Sequence, residues 1–190
     1  EQKAELSKLD KQIAEARKNF NQAVSKFKYE DPADQNPRPK PEVSKDIWFE
    51  DEFPQGKIIT VGGDLTLAKK GEGPVFKGNK SLTRTVKNRI GQDVLTEAKK
   101  LIVPRNGTFF VHCFLDPENP PEAIMLQFYV NGWNHRAVWG DHEKIGWGKE
   151  GTHQRVVMGK LPQTGKWVQL KFPASKIGLS PKTKVTGFAL

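Results

Sequence analysis

The dipeptide Asn131-Gly132 lies between two largely apolar runs, Ile124-Met125-Leu126-Gln127-Phe128-Tyr129-Val130 and Trp133-Asn134-His135-Arg136-Ala137-Val138-Trp139. Asn and Gly accept the left-handed backbone that a two-residue hairpin turn requires, so the pair predicts two antiparallel strands joined at this point. Such a turn also sets the register: Val130 faces Trp133, Phe128 faces His135, Leu126 faces Ala137 and Ile124 faces Trp139. These residues share one side of the ribbon, and their apolar character makes it the core side. The other side carries Met125, Gln127, Tyr129, Asn134, Arg136 and Val138, which is polar enough to meet water or a ligand. By the same parity Trp133 and Trp139 pack between sheets rather than forming a sugar-stacking stripe. His135 becomes a buried neutral histidine with one hydrogen-bond partner.

Short strands separated by turn residues run through the rest of the chain. Candidate strands fall at 47–53, 58–61, 81–86, 92–95, 108–115, 124–130, 135–139, 155–158, 167–173 and 185–190, and residues 97–100 read as a helical turn. The 17 Gly and 13 Pro fit that texture. The expected fold class over 46–190 is all-β, an antiparallel two-sheet sandwich of jelly-roll or concanavalin-like form. Ahead of it, Leu6, Ile13, Phe20 and Phe27 recur every seven residues, with Leu9, Ala16 and Ala23 as a second row, which predicts an amphipathic helix over 1–30. About three heptads are marginal alone, so this seam needs a partner, either in cis or in a dimeric coiled coil. Four prolines and almost no apolar residue make 31–45 an extended linker. A start in mid-helix and a stop in mid-strand suggest part of a longer protein with a truncated final strand.

The formal charge of +9 raises the question of an anionic partner, but Lys and Arg are scattered and no nucleic-acid-binding signature is present. There is neither an apolar run of about 18 residues nor a signal peptide. Cys113 is the single cysteine and reads as a small core hydrophobe. His135, Asp141, His142, Glu143 and His153 form the His/acid cluster, without any spacing known for zinc. Glu50, Asp51, Glu52 and Asp64 are hard-oxygen candidates for a structural calcium, with a solvated acidic patch as the alternative. No nucleophile elbow occurs, and nothing selects a glycosidase pair from Asp116, Glu118, Glu122, Asp141 and Glu143. Trp147, between Gly146 and Gly148, is placed either to stack on a ligand or to cap the core. The candidate ligand-binding set is Gln127, Tyr129, Asn134, Arg136 and Trp147.

The segments Asp116-Pro117-Glu118-Asn119-Pro120-Pro121, Trp133-Asn134-His135-Arg136-Ala137-Val138-Trp139-Gly140 and Trp147-Gly148 form one group of motifs. Met158-Gly159-Lys160-Leu161-Pro162, Gly165-Lys166-Trp167-Val168 and the earlier Trp48-Phe49-Glu50-Asp51-Glu52-Phe53-Pro54 form another. Together, over 47–190, they resemble the concanavalin- or laminin-G-like sandwich domain embedded in large planctomycete cytochrome c-type proteins. The resemblance implies export to the periplasm or cell envelope and neighbouring haem domains or subunits, and it brings no established ligand. The chain departs from that family at Tyr129-Val130-Asn131-Gly132, and its lack of Cys-x-x-Cys-His places any c-type haem elsewhere in the parent. The expected function is a non-catalytic, lectin-like accessory module for polysaccharide or another envelope component. The alternative is a scaffold that docks haem domains or subunits.

Overall fold

A computed structural model describes residues 2–26, 45–87 and 89–190. The chain divides into two compact units, Glu1–Lys45 and Asp46–Leu190. In the first, the heptad pattern forms α1, Gln2–Lys26. Phe27 and residues 31–44 of the linker lie outside the described residues. Among the described residues no helix is long and apolar enough to cross a membrane.

The second unit is built mostly of strands: β1 (Lys57–Val61), β2 (Gly63–Lys69), β3 (Lys80–Val86), β4 (Gln92–Thr96), β5 (Leu101–Ile102) and β6 (Thr108–Phe114). They continue as β7 (Ala123–Tyr129), β8 (His135–Gly140), β9 (Val156–Gly159), β10 (Trp167–Pro173), β11 (Lys184–Val185) and β12 (Gly187–Ala189). Six of them form one sheet in the order β1-β4-β12-β7-β8-β9, and the pairs β10-β6, β11-β5 and β2-β3 form separate ribbons.

The hairpin register is the one that the Asn-Gly turn predicts, with Ile124 opposite Trp139, Leu126 opposite Ala137 and Phe128 opposite His135. Pairing stops there. Asn131 has φ 55 and Gly132 φ 148, and the Val130 N–H donates to the Gly132 carbonyl at 3.1 Å, so the tip leaves the pleat. Trp133 is consequently not in the core: it is half-buried and edge-on to Tyr129, ring centroids 5.2 Å apart.

The core side packs on the β6–β10 ribbon. Phe109 and Phe172 meet Phe128 at centroid distances of 4.2 and 6.1 Å, and Trp139 meets Phe172 at 5.7 Å. Leu95, Ala137, Leu170, Ile177, Val185 and Phe188 belong to the same buried cluster. Cys113 projects into this layer half-buried, and burial raises its thiol pKa. Arg84 of β3 forms an ion pair with the buried Asp93 of β4, burial lowering the guanidinium pKa against the opposing pull of that carboxylate.

Four local expectations are corrected. Residues 47–53 form no strand; Trp48 and Phe49 instead stack on Phe188 at 4.8 and 5.7 Å, and Trp48 Nε1 donates to the Lys99 carbonyl. That carbonyl belongs to an irregular segment, so 97–100 is no helical turn. β9 runs parallel to β8, although every strand was expected to be antiparallel, because the long connection after β8 returns the chain to the same end. β2 and β5 were not expected: Gly62-Gly63 resembles a turn, and β5 is too short to show a period.

Candidate functional site

The ribbon face expected to meet a ligand is largely closed. Gln127 is 3% and Arg136 7% exposed, and Met125 and Val138 are buried with Ile145 in a second small core. The segment after β8 covers them. Arg136 Nε donates to Gln127 Oε1 at 2.8 Å, its Nη1 donates to the Gln154 carbonyl at 3.0 Å, and its backbone N–H donates to His153. Arg155 fastens the same segment by donating from Nη1 to the Ile145 carbonyl at 2.6 Å. Two charged or amide side chains on a strand look solvent-facing until a distant loop supplies partners, which sequence parity does not reveal. Tyr129, Asn134 and Trp147 are exposed, the first two near the hairpin tip and Trp147 on the covering loop, so the five residues do not converge. His135 is half-buried, and its Nδ1 lies 2.8 Å from the Ile177 carbonyl, a distance at which that nitrogen must carry the proton.

The metal candidates are likewise drawn apart. The Asp51 carboxylate accepts the backbone N–H groups of Asn79 and Lys80 at 2.9 to 3.0 Å, and these hydrogen bonds lower its pKa. Glu52 pairs with Lys80 Nζ at 3.1 Å and Asp64 pairs with Lys87. Asp141 Oδ1 accepts the Glu143 N–H and starts a 3-10 turn, His142–Lys144. Among the described residues no three His, Cys, Asp or Glu side chains converge on a common point.

A different surface gathers aromatic side chains. In β6 the alternation sends Phe109, Val111 and Cys113 inward, which leaves Phe110, His112 and Phe114 on the outer side. In β10 the outer residues are Trp167, Gln169 and Lys171, placed directly opposite Phe114, His112 and Phe110. Trp167 lies 5.9 Å from Phe114, and Gln169 Nε2 lies 3.1 Å from His112 Nε2.

A fifth ring arrives from the β2–β3 connection. Phe76 stacks on His112 with centroids 3.8 Å apart at 15°, stands 5.7 Å from Trp167 and remains 50% exposed. The clasp of Asp51 on Asn79 and Lys80, together with the 2.6 Å hydrogen bond from Ser81 Oγ to the Pro74 carbonyl, holds that connection on either side of Phe76. Gly78 permits the approach: its φ is +76, and a Cβ there would stand 2.4 Å from Asp51 Oδ1. The face thus carries apolar ring surface, an exposed amide at Gln169 and an exposed ammonium at Lys171. Rings of this kind can hold the C–H face of a sugar while the two polar groups meet hydroxyl or carboxylate oxygens. Sequence reading missed it because β6 and β10 pair across an intervening stretch that includes β7, β8 and β9. The available signal was that β6 carries rings on both sides, Phe110 and Phe114 on one and Phe109 on the other, which is more than one buried face needs.

A shallow depression of about 340 Å³ near Glu150, His153, Arg155 and Lys176 lacks comparable convergence, since Arg155 is spent on the loop backbone. No family model, curated protein or solved structure matches the chain. The site therefore stands on its own geometry.

Proposed function

We propose that residues 46–190 form a non-catalytic, lectin-like accessory module that binds polysaccharide on the outer face of the β6–β10 ribbon. One observation carries this reading: Phe76, Phe110, His112, Phe114 and Trp167 share one surface with Gln169 and Lys171. The packing of that ribbon on the six-stranded sheet supports the finer assignment to a jelly-roll or concanavalin-like sandwich. Export and a place in a cytochrome-type envelope protein follow from the family resemblance alone. The scaffold reading draws on a separate observation, the exposed apolar stripe of α1.

Calorimetry and affinity electrophoresis of the whole chain against neutral and uronic-acid polysaccharides test the binding role. Trp167→Ala and Phe76→Ala should each weaken binding about tenfold, the equivalent of ~1.4 kcal/mol, while Trp147→Ala leaves it unchanged. Absence of binding at millimolar sugar would sink the proposal, as would binding indifferent to Trp167 and Phe76.

A further inference from the structure

Every described side chain of α1, residues 5–26, is exposed. The exposed set includes Leu6 at 66% and Phe20 at 69%, together with Leu9, Ile13 and Val24. We infer that this stripe pairs α1 with α1 of a second copy, and that the two helices run antiparallel.

Side-chain size argues first. With Ile13 set against Ala16 of the second copy at the centre, Leu6 falls against Ala23 and Phe20 against Leu9. Two of these three layers match a large residue with an alanine, which lets the helices approach and fill space evenly. A parallel, in-register pair would put Phe20 against Phe20 and then Ala16 and Ala23 against their own copies, crowding one layer and hollowing the next.

Charge argues the same way. The antiparallel arrangement flanks the seam with Glu5 against Lys26 and Asp10 against Arg17, and the twofold axis repeats each pair. In the parallel arrangement Glu5 meets Asp10, and no flanking position gains an opposite charge. A helix of 25 residues is only about 37 Å long, so the association is weak and depends on concentration. The inference stands independently of the carbohydrate reading.

Sedimentation equilibrium of the whole chain at low salt, over a concentration series, tests it. Monomer and dimer should interconvert. Glu5→Lys should weaken association about three- to tenfold because two attractive pairs become repulsive, and Glu5→Lys with Lys26→Glu should restore it. Ile13→Asp should abolish it while the tryptophan fluorescence of the strand-built unit stays unchanged. Tighter association of Glu5→Lys would mean a parallel pair and overturn the inference. A chain monomeric up to about millimolar concentration would overturn it too, as would a dimer indifferent to Glu5→Lys.

Discussion

Replacing Arg136 with Met separates a structural arginine from a ligand-binding one. The guanidinium is buried, with Nε bonded to Gln127 Oε1 at 2.8 Å and Nη1 to the Gln154 carbonyl at 3.0 Å. Burial lowers its pKa, but arginine starts so high that the group stays cationic at neutral pH. Hydrogen bonds from a charged donor contribute ~1.5–3 kcal/mol each, and Met preserves much of the methylene packing, so Arg136→Met should cost about 3 kcal/mol.

Part of that loss is the Gln127 oxygen, left buried without a donor at a cost of ~1–3 kcal/mol. The Gln127 amide nitrogen has no partner among the described residues, so Gln127→Leu removes the orphan oxygen without breaking a second bond. Gln154 is exposed, and water can reach its carbonyl. The double variant should therefore be more stable than Arg136→Met by about 1–2 kcal/mol. Urea denaturation monitored by tryptophan fluorescence gives all the required free energies, and polysaccharide binding by the folded protein should be unchanged. If Arg136→Met stays within about 0.5 kcal/mol of the parent and loses binding, the arginine is a ligand residue and the closed-face argument fails.

Two further predictions follow from the same geometry. Asp51 has its pKa lowered by the Lys80 and Asn79 amides, so its hydrogen bonds stabilise the β2–β3 connection above the ordinary carboxylate range, about pH 4, and that stability is lost as pH falls through the lower folded value. The protection of the Asn79 and Lys80 amides, their exchange relative to the intrinsic rate at each pH, should fall in that acid window and Asp51→Asn should remove the fall; protection unchanged with pH in the parent protein would refute the clasp. Gly178 closes the 3-10 turn Ala174–Ile177 at φ 77, and a Cβ there would stand 2.2 Å from His153 Nδ1, so Gly178→Ala should lower unfolding free energy by more than Gly71→Ala, where φ is 94 but nothing lies nearby. The backbone cost of ~1–2 kcal/mol is common to both, so equal losses would show that His153 moves freely.

Much of the fold was legible because its determinants are local. Asn131-Gly132 announced the β7–β8 register, and the seven-residue spacing announced α1. The inward row of β6, Phe109, Val111 and Cys113, follows from the two-residue period. The polar ribbon face was misread for a physical reason: a strand's periodicity reports which residues share a side, while the burial of that side depends on what another segment lays over it. Gln127 and Arg136 are covered by residues that follow β8, whose path no period describes.

The aromatic face shows the same division. Two-residue alternation alone puts Phe110, His112 and Phe114 on one side of a strand, and Trp167, Gln169 and Lys171 on one side of another. That these two rows lie against each other, and that Asp51 brings Phe76 onto them, comes from long-range packing. Alternation is a property of one backbone, whereas pairing between distant strands is chosen by the free energy of the whole core, in which Phe109 and Phe172 meet Phe128.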